Sequence, residues 1–395
     1  MGYDVCVVGG LGHVGLPLGI MLARGGKRVV LYDINTEAID MVSKGKMPFL
    51  ENGAEEILSQ VIDKNLFVSN DRGVITESHY VIIVIGTPVD KHLNPQFTIF
   101  KQFFDDLSDC LRDGQHIILR STVFPGTTEK IKEYLAAKGK SIRVSFCPER
   151  IAEGKAVVEL RALPQIVASF DSGSEQEAAS LFGTLTDDIL YLAPIEAELA
   201  KLFTNVWRYI QFSISNQFYQ IAEQHNLDFY KIFDAIKFKY PRASSFPSAG
   251  FAAGPCLFKD TMQLAAFSNN SFFLGHAAML INEGLPNFIV STLKDRHCLK
   301  DKTVGILGMA FKANNDDKRE SLSYKVKKIM EIEAKHVLCS DVYINDDGFV
   351  TAETLISGAD IIVLGTPHKE YAALNIPKDK VMVDVWNFFG NGGLF

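Results

Sequence analysis

The chain has 395 residues, with 40 Lys plus Arg against 47 Asp plus Glu, a formal net charge of −7 and 47% hydrophobic residues. That composition excludes a disordered tail and a collagen-like fibre, and with no clustered Lys/Arg run a nucleic-acid partner is not expected. At about 150 residues per domain the length predicts two or three domains.

The first 35 residues predict a βαβ unit: a strand over 3–8, a glycine turn over 9–15, a helix over 16–24 and a strand over 28–32. Gly10-Leu11-Gly12-His13-Val14-Gly15 matches G-x-G-x-x-G directly after a strand, and Asp33 ends the second strand 18 residues after Gly15. Glycines let backbone approach a pyrophosphate, and the helix N-terminus faces its charge. An Asp at the end of the second strand accepts from ribose hydroxyls and repels a 2′-phosphate, so the pattern predicts NAD rather than NADP. The alternative is a tight turn that packs strand on helix without a ligand.

Continuous apolar runs at 80–85, 116–119 and 166–168 predict buried parallel strands, hence an open, mostly parallel sheet covered on both faces. Thr87-Pro88-Val89-Asp90 and Arg120-Ser121-Thr122 follow two of them, at the carboxyl edge where such sheets bind ligands. Glu149 and Glu153, in the segment Pro148 to Gly154, are four residues apart after strand-like VSFCP. One of them could act as a general base, whereas isolated carboxylates are more often simply solvated.

From 195 to 225 the pattern is one long helix, about 45 Å at 1.5 Å per residue, which predicts a connection between two domains. Its aromatic stripe, Phe203, Trp207, Phe212 and Phe218, suits an interdomain core or a dimer face. Lys201 and Asn205 share one face of it, where an ammonium and an amide could stabilise an oxyanion, or the lysine could simply snorkel. Further on, the Gly-rich run Gly250 to Gly254 leads into Pro255, which suits the first position of a helix and puts Cys256 in its first turn. There the helix dipole and free amides favour thiolate, as a nucleophile requires, and Asp260 lies one turn on. The alternative is a small buried hydrophobe. The strand signal returns at Lys302, and ADIIVLGTP near the end echoes HYVIIVIGTP of the first half, so the tail predicts a second, smaller α/β domain.

Six cysteines (Cys6, Cys110, Cys147, Cys256, Cys298, Cys339) lack CxxC spacing and His partners. No metal site and no disulfide framework are expected, and a reducing cytoplasm fits best. Glycines interrupt the first apolar run and no run of about 18 apolar residues occurs, so neither a signal peptide nor a membrane partner is expected.

Seven ordered motifs resemble the nucleotide-sugar 6-dehydrogenases, the UDP-glucose/GDP-mannose dehydrogenase family: GLGHVGLPL with YDIN, GTPVD, STVFPGTTE, CPERIAEGKA, AELAKLFTN, GPCLFKD and LGMAFKANNDDKRES. The resemblance implies an α/β protein of two Rossmann-like doubly wound domains joined by a long central helix. It divides the chain into an NAD-binding domain (1–193), a helical dimerisation region carrying the cysteine (194–298) and a nucleotide-sugar-binding domain (299–395). The implied partners are NAD, a UDP-sugar and a second copy of the chain. The implied reaction is oxidation of a sugar C6 alcohol to a carboxylate with two NAD, Cys256 adding to the aldehyde as a thiohemiacetal that becomes a thioester.

By the same resemblance Lys201 and Asn205 match the oxyanion pair, Asp260 and Thr122 the groups that organise water, and Glu153 the base. Thr87, Thr122, Glu153, Lys259 and Arg319 match cofactor-side positions beside the glycine turn and Asp33. Glu149, Arg150, Lys201, Asn205, Arg242, Gly250 and Lys312 match substrate-side positions. There are departures from the family pattern: Ala253-Gly254 replaces a glycine pair, Arg242 lies closer to Cys256, Asn315 replaces a threonine and Trp386 an arginine. The run ELRALPQI is similar to the branch acting on UDP-N-acetylhexosamines. A β-hydroxyacid dehydrogenase, which also carries a Lys-x-x-x-Asn helix, and a non-catalytic nucleotide-sugar sensor are the competing readings.

Overall fold

Short apolar runs and amphipathic stretches alternate along the chain, and they fold as strands and covering helices. The computed structural model describes residues 2–86 and 97–390, and the chain divides into two compact units, Met1–Thr204 and Asn205–Phe395. In the first unit β1 (Tyr3–Val8), β2 (Val29–Tyr32), β3 (Leu66–Ser69), β4 (Ser78–Ile83), β5 (His116–Leu119), β6 (Arg143–Phe146), β7 (Gln165–Ser169) and β8 (Ile189–Leu192) form one sheet in the order β3-β2-β1-β4-β5-β6-β7-β8. Every neighbouring pair is parallel except β6 with β7.

β1 shows why the strands read as unbroken apolar runs. Val5 and Val7 pack into one core, Cys6 and Val8 into another, because successive side chains leave opposite faces of a sheet that helices cover on both sides. Strand order runs outward in opposite directions from β1 and β4, so the crevice at their carboxyl ends is the switch point of a doubly wound sheet. The predicted strand at 80–85 lies two residues earlier, at Ser78–Ile83, where its register against β1 starts with Tyr3 opposite Ser78.

The long helix, Pro194–Gln224, has 31 residues and begins with proline, whose fixed φ and missing N–H suit the first helical position. Val206, Tyr209, Asn216 and Tyr219 are buried on one face, while Phe203, Trp207, Ile214, Phe218 and Ile221 are exposed on another.

In the second unit β9 (Thr303–Leu307), β10 (His336–Ser340), β11 (Ile361–Leu364) and β12 (Val381–Val383) make an all-parallel sheet in the order β10-β9-β11-β12. Helices Phe229–Lys237, Leu257–Phe267 and Phe273–Arg296 precede it. One core joins the first and third of them to the sheet, with Phe229, Leu285 and Ile289 packed in the same cluster as Val304 and Ile306. Among the described residues no helix is long and apolar enough to cross a membrane.

Candidate functional site

In the first unit the glycine turn closes against the tip of β2. Gly9, with φ +76°, and Gly10 both donate to the Tyr32 carbonyl, at 3.0 and 3.1 Å. Asp33 accepts from the Leu11 amide at 3.0 Å and from the Asn35 amide at 3.1 Å, so it holds the turn as well as facing the crevice. The three glycines differ in what requires them. A Cβ at Gly10 would lie 2.8 Å from the Leu31 Cβ, and one at Gly15 2.7 Å from the Gly9 carbonyl oxygen. At Gly12 the nearest protein atom would be 3.8 Å away, so packing gives no reason for glycine there. A pyrophosphate drawn close to the backbone does, and the residues present fit a dinucleotide. Val14 caps the helix Gly15–Arg24, and the His13 ring stacks on Phe49 with centroids 4.1 Å apart. A cavity of about 220 Å³ adjoins the turn, lined by Asp33, Ile34, Arg72, Ile75 and Leu107 among others. Thr87 lies outside the described residues.

The segments after β5 and β6 are fixed by buried carboxylates. Glu198 on the long helix accepts from the Gly126 and Thr128 amides at 2.5 and 2.8 Å, which anchors the loop that carries Thr122. Burial holds its carboxyl above the usual range. Glu149 is buried in an ion pair with Arg120, which also donates to the Cys147 carbonyl at 3.1 Å and the Gln165 side chain at 3.0 Å. The other Glu149 oxygen accepts from the Arg150 and Ile151 amides, and Arg150 donates to the Pro164 carbonyl. No sequence motif singled out Glu51. Yet it is buried and accepts from the Gly154 and Ala156 amides at 2.8 and 2.7 Å, while Asn52 donates to the Gly154 carbonyl, so the turn after Glu153 is clamped. A charged residue directly after two apolar ones, in FLENG, is the only trace of this in the sequence.

In the second unit the thiol helix begins two residues later than expected. It runs Leu257–Phe267, with Cys256 as its N-cap rather than in its first turn. The reason is Gly254, whose φ of +102° and close contact with the Phe311 ring keep the chain non-helical up to that point. Cys256 is exposed, while Cys6, Cys147 and Cys339 are buried, which pushes their thiols up to about 12, 12 and 11. Those three cannot supply a thiolate near neutral pH. One turn beyond Cys256, Asp260 is fully buried and takes the Asn205 side-chain amide on Oδ2 at 2.5 Å. Its Oδ1 lies 3.6 Å from the Lys259 ammonium and has no hydrogen-bond partner among the described residues, so it can accept from a water or an alcohol.

Lys201 belongs to the first unit, four residues before Asn205 on the same helix. Of the remaining positions, Lys312 lies over the Phe311 ring at 5.6 Å, Arg319 is paired through two nitrogens with Asp317, and the exposed Arg242 reaches the Tyr240 hydroxyl. The Gly250 amide is bound by Asn216.

A dinucleotide turn on a doubly wound sheet, followed by a long helix and a second parallel sheet, is the build of an NAD-dependent dehydrogenase with a second α/β domain. Known proteins agree along the chain. Models of the UDP-glucose/GDP-mannose dehydrogenase family match with its NAD binding domain over residues 3–186, its central domain over 195–283 and its UDP binding domain over 305–391. The chain belongs to the UDP-glucose/GDP-mannose dehydrogenase family: it is an NAD-dependent nucleotide-sugar dehydrogenase.

It is 30% identical, over 96% of its length and 90% of the relative's, to a UDP-N-acetyl-D-mannosamine dehydrogenase of Methanococcus maripaludis. A solved UDP-D-ManNAc dehydrogenase from Pyrococcus horikoshii superposes with a TM-score of 0.87 at 28% identity, covering 94% of this chain and 91% of that one. A UDP-glucose dehydrogenase from Pyrobaculum islandicum shares the fold with a TM-score of 0.87 at 24% identity, covering 97% and 94%.

Proposed function

We propose that the enzyme oxidises the C6 hydroxyl of a UDP-N-acetylhexosamine to the uronate, with two NAD per turnover, through covalent intermediates on Cys256. The observation that carries this reading is the group on one helix turn: an exposed thiol at the N-cap, and after it a buried Asp260 held by Asn205 with one oxygen open. The N-acetylated sugar is supported by the relatives from Methanococcus maripaludis and Pyrococcus horikoshii, which carry that substrate in their names.

The glycine turn 10–15 and Asp33 would hold NAD, with Thr87, Thr122, Glu153, Lys259 and Arg319 as the further cofactor-binding residues. NAD supplies the acceptor for each hydride that leaves C6. Lys201 and Asn205 stabilise negative charge on the C6 oxygen as the alcohol loses its proton and becomes an aldehyde. The Cys256 thiolate adds to that aldehyde, and the new oxygen takes a proton to give a thiohemiacetal. Loss of a second hydride and that proton leaves a thioester. A water oriented by Asp260 and Thr122 and deprotonated by Glu153 attacks it, the C–S bond breaks, and the carboxylate leaves with the thiolate restored. The net change is alcohol plus two NAD⁺ plus water to carboxylate plus two NADH and three protons. Glu149 and Arg150 shape the segment that meets the sugar, and Arg242, Gly250 and Lys312 contact the substrate.

We assign the chain three functional parts, 1–193, 194–298 and 299–395, and a homodimer formed through the exposed apolar face of the long helix. Six free cysteines support a reducing cytoplasm.

The test is stoichiometric. Supplied with UDP-N-acetylmannosamine, the enzyme should form two NADH per uronate, and Cys256→Ala should abolish steady NADH formation. A ratio near one with a released aldehyde or ketone would favour the β-hydroxyacid dehydrogenase reading, and binding without NADH the sensor.

A further inference from the structure

The loop that leads to Cys256 is anchored by a chain of buried amides. Asn216, on the long helix, is fully buried and accepts the Gly250 N–H on its Oδ1 at 2.9 Å. Its Nδ2 donates to Asn282 Oδ1 at 2.9 Å, and Asn282, equally buried on the helix Phe273–Arg296, donates through Nδ2 to the Tyr209 carbonyl at 3.0 Å. The chain has one direction. Gly250 offers only a donor at one end and Tyr209 only an acceptor at the other, so each side-chain amide has a single orientation that satisfies its neighbours. The hydroxyl of Ser215, the residue before Asn216, donates to the Pro247 carbonyl at 2.6 Å and adds a second anchor to the same loop.

From the opposite side the loop meets aromatic rings. A Cβ on Gly250 would lie 2.2 Å from the Trp386 ring, and one on Gly254 2.6 Å from the Phe311 ring. The Trp386 indole donates to the Gly365 carbonyl at 3.3 Å and meets the Phe251 ring edge-on. The Gly254 amide donates to the Glu320 carbonyl at 3.2 Å. Both glycines are therefore caught between a backbone hydrogen bond and a ring face.

We propose that Asn216, Asn282 and Trp386 are positioning residues that fix the loop 250–254 in the shape that receives the nucleotide-sugar; this rests on the function proposed above. A buried polar chain that is fully satisfied selects one backbone arrangement, since every alternative strands a donor or an acceptor. A ring packed on Gly250 adds a steric limit on how far the loop can rise.

The test uses the full-length enzyme and its Asn216→Ala, Asn216→Asp and Trp386→Phe variants. Hydrogen exchange of the peptide covering 246–256 is read without ligand, NAD affinity by fluorescence, and kcat and KM with UDP-N-acetylmannosamine. The expected result for Asn216→Ala is loop exchange at least tenfold faster and KM at least tenfold higher, with kcat within threefold and NAD affinity unchanged. In Asn216→Asp the ionised side chain cannot donate to Asn282, whereas the protonated acid can, so its KM defect should shrink as pH is lowered while that of the alanine variant does not. Trp386→Phe keeps an aromatic core, and should still fold if an Asn216 variant does not, yet loosens the loop in the same assays. Exchange and KM within twofold of wild type in a folded variant would overturn the proposal. A wild-type enzyme that makes no NADH from any UDP-hexose would instead sink the functional reading, and loop exchange would then decide the positioning role alone.

Discussion

Asp33 shows how one side chain can serve structure and ligand together. Its carboxylate accepts from the Leu11 and Asn35 amides, which ties the cofactor turn to the tip of β2, and it lines the adjoining cavity. Replacing it by serine removes a negative charge that opposes a 2′-phosphate and shortens the acceptor for the ribose. NAD binding should weaken about tenfold, or about 1.4 kcal/mol, while NADP binding improves, as measured by fluorescence titration of both cofactors. Unchanged discrimination would mean that another group sets it. Cys256 differs from its buried counterparts by exposure and by its place at a helix N-terminus.

At the scale of elements, charged side chains lock loops to helices. Glu51 satisfies two amides of the turn after Glu153. Truncation to alanine leaves both N–H groups buried without an acceptor, so Glu51→Ala should destabilise the first unit by about 1–3 kcal/mol, read from the urea midpoint. The loss should be larger than for the exposed Glu55→Ala. The long helix presents an apolar stripe that its own fold does not cover, with Trp207 60% and Phe203 53% exposed. A contiguous exposed apolar face marks a contact surface. Trp207→Asp should therefore convert a dimer to a monomer in light scattering, and a wild-type monomer at micromolar concentration would refute the assignment.

Over the molecule as a whole, stability should depend on pH through a cluster at the amino ends of the strands in the first unit. His116 is fully buried on β5, 2.6 Å from the Ser145 hydroxyl, and faces Glu177, which also binds His79 and Arg143. Burial is the main cause that lowers its imidazole from 6.5 to about 4. The unfolded chain thus takes up a proton first, and stability present above pH 6.5 is lost as pH falls toward 4, by up to about 3 kcal/mol. Burial raises the carboxyls of Glu198, Glu283 and Asp384, which has the opposite sign: their folded forms are favoured at low pH and penalised as pH rises through their raised values. Thermal midpoints of wild type and His116→Asn between pH 7 and 5 separate the two effects. The variant should be less stable at pH 7 and show a flatter slope, and parallel curves would assign the pH dependence to other groups.

Local patterns along the chain settle the architecture and the chemistry-bearing motifs. Strand and helix periods, the G-x-G-x-x-G turn with Asp33, and the run from Gly250 to Asp260 are local signals, each legible within about 35 residues. Tertiary structure decided how those motifs are held. Glu51 reaches the turn after Glu153 across 103 positions, Arg120 pairs with Glu149 across 29 and Asn216 meets Asn282 across 66. Even the start of the thiol helix lies two residues beyond the expected Pro255, because Gly254 packs against Phe311, 57 positions on. A local pattern carries no record of such partners: which buried acceptor meets which donor is set by how the elements pack, and packing is a property of the folded chain alone.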